Sequence, residues 1–418
     1  MAYIIDNIPE AIRESKQLLR KLAAEQGADF KVTFDEFTES IKQEVSEIKA
    51  LKDKGEMIIP ELEYADLIAS GISDQHKSQI RQRGCAIVRN IFPEQQVKEW
   101  DEELGRYLSD INYVEASMKS TDDHMSAVQK ANPQMFSVYW SKPQVEARQS
   151  ENLAKVRSQL NRLWHYEQDG KQLFDPDLEC TYADRVRRRQ AGDDTIGISL
   201  HVDGGSIERW TDDQGFHKVF RKLIAGDWQN YDPFDAAFRN DTREVTSPAV
   251  SNVFRTYQGW IALSPQGPGD GTLEVIPMVR ALAWMYLRAM QEDVAEDDLC
   301  GAVIGHSLKY DEKWHSLLKD ALISIPQMRR GDGIWWHPDV IHGVEEVHGG
   351  DDFSNVIYIG ASPACAKNDD YAKRQLPTFK AGKSAPDFSA EDYEAGCESR
   401  GKMDDLTELG RRQMGVLS

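Results

Sequence analysis

Ser199-Leu-His-Val-Asp-Gly-Gly205 is the segment of this chain with the most chemical content. His201 and Asp203 are two residues apart, and on a strand residues i and i+2 point to the same face. An imidazole nitrogen and a carboxylate oxygen then converge on one point, and Gly204-Gly205 suits a sharp turn at the mouth of the strand. A third ligand is offered by Gly331-Asp-Gly-Ile-Trp-Trp-His-Pro-Asp-Val-Ile-His-Gly-Val344, where His342 follows a Gly-Asp turn and an aromatic strand. Two histidines and one carboxylate that leave coordination positions open form the facial arrangement of non-haem Fe(II) oxygenases. His337 and His348 stand near His342 as alternatives, and an ordinary surface turn is the bland reading of His201 and Asp203.

Charged and aromatic residues flank this set. Arg185, Arg187 and Arg189 alternate along the strand that precedes it, a cationic wall for a carboxylate or phosphate unless they simply pair with surface acids. Arg209 and Trp210 follow the His-x-Asp turn closely enough to line its mouth. Trp335 and Trp336 alternate in and out on a strand, and Trp336 shares the parity of His342. His76, His124, His165, His217, His306 and His315 have no usable partner spacing and read as surface or core residues.

The elements that must position these groups begin with helices. Asn7 caps a helix with Pro9 in its first turn, running to about Gly27. Thr33 and Glu36 have capping-box spacing, and Phe34, Phe37, Ile41, Val45, Ile48 and Leu51 then form one apolar stripe. That stripe must pack on the body of the protein or on a second subunit, and a homodimer through the N-terminal helices is one expectation. Residues 75–107 read as helix, strand (Cys85–Arg89) and helix, and a further helical stretch lies near Glu146–Tyr166. From Leu178 short β runs alternate with turns: Cys180–Arg189, Thr195–Leu200, Val253–Leu263, Thr272–Ile276, Ile323–Pro326, Ile334–Trp336 and Asn355–Ile359. Many short strands with Gly-rich turns suggest a sandwich or barrel. The expected organisation is a helical region over 1–60 and a β-core domain over 61–418, with insertions at 211–247 and 278–320 and a polar C-terminal part that wraps the surface.

The formal charge of −20 disfavours nucleic acid and anionic membranes as partners. The five cysteines are scattered and form no CxxC pair, which excludes the usual zinc-ribbon patterns and disfavours a disulfide framework. No basic stretch followed by an apolar one opens the chain, and no apolar run approaches membrane-spanning length. A cytoplasmic setting is expected, and a reducing compartment suits ferrous iron.

Taken in order, His-x-Asp, "GDGTLEVIP" and "GDGIWWHPDVIHGVEEV", with the module "RQRGCAIVRNIFP", resemble the 2-oxoglutarate/Fe(II)-dependent dioxygenase superfamily near its phytanoyl-CoA hydroxylase-like branch. "YADRVRRRQAGDDTIGISLHVDGGSIERW" is similar to the YbiU-type bacterial proteins. The resemblance covers about residues 62–365. It implies a mainly β core of the jelly-roll, double-stranded β-helix type with helical flanks. It implies that His201, Asp203 and His342 bind Fe(II), with 2-oxoglutarate as cosubstrate and O₂ as oxidant, and that a small polar or anionic molecule is hydroxylated. The superfamily usually carries an Arg ten to fifteen residues after the second histidine to hold the far carboxylate of 2-oxoglutarate. Here that stretch has no Arg or Lys. Arg255 is the expected replacement, with Arg185, Arg187, Arg209 and Trp336 facing the substrate. Other readings of the same residues are a jelly-roll isomerase, hydrolase or lyase using another divalent metal, and a non-catalytic small-molecule sensor.

Overall fold

Asn7 caps the first helix through its side-chain oxygen, which accepts from the Glu10 amide at 3.4 Å, and Pro9 occupies the first turn. In this computed structural model, which describes residues 5–119, 132–194, 199–204, 206–212, 215–245, 247 and 250–417, that helix is α1 (Ile8–Glu25). The next, α2 (Phe30–Lys54), starts earlier than its capping-box spacing predicts. Asp29 takes the Lys31 and Val32 amides on its carboxylate, so the helix is already under way at Thr33, whose hydroxyl turns back to the Asp29 carbonyl. The predicted stripe is buried at Phe37, Ile41, Val45 and Ile48. Each such side chain contributes about 1.5–3 kcal/mol. It packs on the chain's own body: Phe34 stacks on Trp284 at 5.9 Å, Arg280 lies over the Phe37 ring, and its residues share one apolar cluster with the sheets.

Two sheets carry the core. The larger contains β1 (Glu61–Glu63), β2 (Cys85–Arg89), β3 (Met135–Phe136), β4 (Val186–Arg189), β6 (Gln258–Ala262), β10 (Gly333–Trp336) and β12 (Ser354–Tyr358), in the order β1-β2-β10-β6-β12-β4-β3. The smaller contains β5 (His201–Val202), β7 (Leu273–Ile276), β8 (Leu308–Lys309), β9 (Ile323–Ser324) and β11 (Ile341–Val344), in the order β8-β5-β11-β7-β9. All pairings are antiparallel except β1 with β2. The architecture is mixed α and β, with several sheets and, among the described residues, no closed barrel.

Period-two alternation decides what each face of the larger sheet meets. Ile87, Trp260, Ala262, Ile334, Trp336 and Val356 turn inward and join Val202, Val275 and Ile341 of the smaller sheet. Ala86, Val88, Ile261, Trp335 and Ile357 turn outward, under a helical layer with α3 (Asp74–Arg83), α4 (Glu94–Asp110) and α5 (Glu151–Asn161). Gly259 is required there, because a Cβ would lie 2.5 Å from Trp335 Cδ1 and 2.7 Å from the Ile334 carbonyl.

The predicted strand Cys180–Arg189 divides into Asp175–Glu179 and β4. Between them the backbone donors go elsewhere: the Thr181 amide to the Gln413 carbonyl and the Ala183 amide to Gln375 Oε1. Residues 195–198 of the predicted strand Thr195–Leu200 lie outside the described residues, and the strand that carries the motif is β5. The C-terminal part does more than wrap the surface. Its helix α6 (Ala366–Ala381) buries Tyr371 and Phe379, and Phe379 forms a third cluster with Tyr139, Trp140 and Val145. Glu394 ties the same segment in, its carboxylate accepting from the Tyr139 and Trp140 amides and the Tyr107 hydroxyl. Among the described residues no helix is long and apolar enough to cross a membrane.

Candidate metal centre

β5 and β11 are neighbours in the smaller sheet, and their register places His201 directly opposite His342. The ring centroids lie 4.5 Å apart. Each ring spends its Nδ1 on a carbonyl two residues upstream, His201 on Ser199 at 2.6 Å and His342 on Val340 at 3.1 Å. That fixes the tautomer and turns both Nε2 atoms to the same point. Asp203 completes the set: Oδ1 is 2.9 Å from His201 Nε2 and Oδ2 is 3.6 Å from His342 Nε2. One ligand atom from each residue lies within 4.8 Å of the others. The two nitrogens and one oxygen fit a divalent cation of the non-haem iron type.

The electrostatics suit a cation. Burial works to raise the Asp203 carboxyl, but His201 and His342 outweigh it and hold it well below the ordinary carboxylate range. Burial works to lower His201, and Asp203 overrides it. His342 is lowered, by burial and then by the neighbouring His201. A bound cation would supply the positive charge that the two imidazoles share here.

The larger sheet supports the trio from across the gap. Gln258, at the start of β6, donates from Nε2 to Asp203 Oδ2 at 2.5 Å and accepts on Oε1 from Trp336 Nε1 at 2.6 Å. Trp336 also packs 5.2 Å from the His342 ring. Gln258 was not singled out in the sequence. Its only signal is its register opposite Trp336, which needs the pairing of β6 with β10.

The other predicted residues separate. Arg187 and Arg189 share one side of β4, Arg185 lies just ahead of that strand, and Arg188 turns outward to Asp101. Arg189 is a strut, its Nη1 and Nη2 taken by the carbonyls of Gly271, Glu345, Asp193 and Glu346, with its Nε unpartnered. Arg187, 3% exposed, bonds the Gly271 carbonyl and Ser354 Oγ from Nη2, and its Nε has no partner. No carboxylate lies within 4.0 Å of it among the described residues. Arg185 lies over the Phe388 ring at 4.9 Å. Arg255 lies ahead of β6, not on it, with its guanidinium 5.4 Å from the Tyr182 centroid. Arg209 donates to the Arg243 carbonyl, and Trp210 stacks on Tyr286 at 4.2 Å inside the core. His337 is structural. It stacks on Trp164, accepts the Asp339 amide on Nδ1 and bonds the Pro233 carbonyl through Nε2, and burial pushes its pKa down to about 3. His348 is buried and accepts the Gly350 amide.

Fold and site together define a two-sheet protein with a candidate two-histidine, one-carboxylate metal centre between its sheets. The chain belongs to the Gig2-like family, whose profile matches residues 6–416. It is 40% identical over 408 residues to YbiU of Escherichia coli (strain K12), covering 97% of this chain and 96% of that protein. Among solved structures it is similar to the "Putative Oxidoreductase" of Salmonella typhimurium LT2, at 39% identity, TM-score 0.92 and coverage of 100% and 99% of the two chains. It is also similar to GlcNAc Inducible Gene 2 of Candida albicans, at 27% identity, TM-score 0.79 and coverage of 100% and 90%.

Proposed function

We propose that this chain is a non-haem Fe(II), 2-oxoglutarate-dependent oxygenase that hydroxylates a small polar or anionic molecule. The observation that carries the reading is the convergence of His201, Asp203 and His342 within 4.8 Å, with both imidazole tautomers set by backbone carbonyls. The oxidoreductase name of the Salmonella relative agrees with it. Strand order supports the jelly-roll form of the core: β4, β5, β6 and β7 alternate between the larger and smaller sheets, and β9, β10, β11 and β12 alternate from the smaller to the larger.

Ferrous iron and 2-oxoglutarate, when bound, supply the activation of O₂ coupled to decarboxylation of the oxo acid. His201, Asp203 and His342 hold the ion, and Gln258 holds Asp203 in place with Trp336 behind it. Arg187, rather than Arg255, is the anchor we assign to the far carboxylate. Val356 stands fourteen residues after His342, where the superfamily carries its arginine, and Arg187 is its direct cross-strand partner. Tyr358 lies within the field of both Arg187 and Asp203, which links the anchor to the metal side.

Anaerobic titration with Fe(II) and 2-oxoglutarate tests this. A weak metal-to-ligand charge-transfer band is expected in the visible spectrum, and it should vanish in His342→Ala. Fe(II) binding without a band, or retained zinc without 2-oxoglutarate turnover, would overturn the oxygenase reading in favour of another metal chemistry.

A further inference from the structure

Arg209, Arg255 and Lys367 share the field of one half-buried carboxylate, Asp387. Arg209 donates to the Arg243 carbonyl at 2.6 Å, and Lys367 donates to the Thr242 carbonyl at 2.5 Å and the Thr242 hydroxyl at 2.9 Å. Thr242 and Arg243 are consecutive, so the two positive tips are tied to carbonyls one residue, about 3.8 Å, apart along the chain. Neither cation has a carboxylate oxygen within 4.0 Å among the described residues. The acids nearby are engaged elsewhere: Asp212 with Arg243, Glu244 with Arg374, and both oxygens of Asp387 with the amide and side chain of Asn252. Asp387 sits in the field of Arg255 as well as of Lys367 and Arg209. Burial first, and then Arg209, bring the Lys367 pKa down to about 8, against the pull of Glu244 and Asp387.

Stapling the segment at 242–243 accounts for one or two donors of Arg209 and Lys367 and for none of Arg255. The Arg255 guanidinium rests on the Tyr182 ring and makes no hydrogen bond to the described protein. Its donors remain unspent, in a chain whose net charge of −20 leaves many acids to pair with. Two members of the cluster are close in sequence to residues of the candidate metal centre. Arg209 is six residues past Asp203, and Arg255 is three before Gln258, which holds Asp203. Three extended residues reach at most about 11 Å.

We propose that Arg209, Arg255 and Lys367 form an oxyanion-binding site beside the metal centre, which holds a carboxylate or phosphate group of the substrate. Assigning the anion to the substrate rests on the oxygenase reading; the anion site itself does not. Guanidinium forks suit either group through paired hydrogen bonds, and the acidic remainder of the surface repels adventitious anions.

Calorimetric titration of the metal-free full chain with inorganic phosphate and, separately, with tricarballylate tests the site. One saturable event is expected, with phosphate the tighter ligand if the substrate is a phosphate ester and tricarballylate the tighter if it is a polycarboxylate. Arg255→Met should weaken it about 10- to 100-fold, the loss of one or two charge-assisted hydrogen bonds, with only a small change in thermal midpoint because Arg255 makes no hydrogen bond to the described protein and rests only on the Tyr182 ring. Arg209→Met serves as the second variant and should weaken it likewise. Wild-type affinity in both variants, or no binding of either anion, overturns the proposal. His201→Ala should leave anion binding intact. A failed Fe(II)/2-oxoglutarate titration with intact anion binding therefore sinks the oxygenase reading and keeps this site, and the converse result sinks this site alone.

Discussion

Arg187→Met separates binding from folding. The guanidinium is 3% exposed, faces the space between the sheets and has no carboxylate within 4.0 Å among the described residues. Burial lowers its pKa, as expected for a cation without a close counter-ion. An uncompensated buried charge is penalised by several kcal/mol. Removing it leaves little behind unsatisfied: the Gly271 carbonyl also accepts from Arg189 at 3.2 Å, and Ser354 Oγ also donates to Gln266 at 2.8 Å. Relief of desolvation then offsets two lost hydrogen bonds of about 1.5–3 kcal/mol each, and the ligand-free variant should be as stable as wild type within about 1 kcal/mol. Binding of 2-oxoglutarate should behave oppositely. Loss of a two-pronged contact to a carboxylate removes about 3–5 kcal/mol, or two to more than three orders of magnitude in affinity. The assay is the anaerobic Fe(II)/2-oxoglutarate titration beside thermal unfolding with and without the oxo acid. At a hundred times Kd the ligand stabilises wild type by about 2.7 kcal/mol, and that shift should be absent from the variant. A variant that keeps wild-type affinity would refute the anchor assignment. A variant that is badly destabilised without ligand would refute the claim that this charge awaits a partner.

Gln258→Leu removes the donor to Asp203 and the acceptor for Trp336, and should lower metal affinity about 10- to 100-fold in a chelator competition; unchanged affinity would show that Asp203 needs no such support. Gly259→Ala drives a methyl into Trp335 and the Ile334 carbonyl, and overpacking of this kind costs about 1–3 kcal/mol, readable as a lower urea midpoint. Glu394 is buried, and burial first of all raises its pKa to about 7 against the pull of Tyr107, the Tyr139 and Trp140 amides and Arg148. The folded state therefore binds the proton more tightly than the unfolded chain, and this group's contribution to stability is full below the unfolded pKa near 4.5 and is lost as pH rises to about 7, a change of about 3 kcal/mol. Buried His315, held down at about 4 by burial, has the opposite slope: its contribution is present above 6.5 and is lost as pH falls towards 4. Glu394→Gln should remove the falling component and leave stability rising between pH 4.5 and 6.5 in urea titrations; a profile parallel to wild type would refute it.

What the sequence discloses of this site follows the reach of each signal. His201 and Asp203 are legible because side chains two residues apart, at the end of β5 and in the turn just past it, reach the same side whatever that strand pairs with. Trp335 and Trp336 are legible as an opposed pair for the same reason. The apolar stripe of α2 is readable from its own period, although the cap is not, because Asp29 and Thr33 both offer the right oxygen and only the first lies beside free amides. Gln258 and Arg187 are of another kind. Gln258 matters because β6 pairs with β10 across the larger sheet, and Arg187 because β4 pairs with β12, placing it opposite Val356, 169 residues away in the chain. No local period encodes those registers. Arg255 is the anchor that the resemblance suggests; the structure places it ahead of β6 with its guanidinium over the Tyr182 ring, and Arg187 is the anchor we propose in its stead. The division has a physical basis. The ligand trio comes from two neighbouring strands of the smaller sheet, where spacing within one strand does most of the work. Gln258, which bonds Asp203, and Arg187, the proposed anchor, come from the larger sheet, whose strands are brought together only by the fold. The candidate metal site is therefore written locally, and the groups around it are written in the pairing of distant strands. For this reason variants at Gln258 and Arg187, rather than at the ligands themselves, bear most directly on what the site accepts.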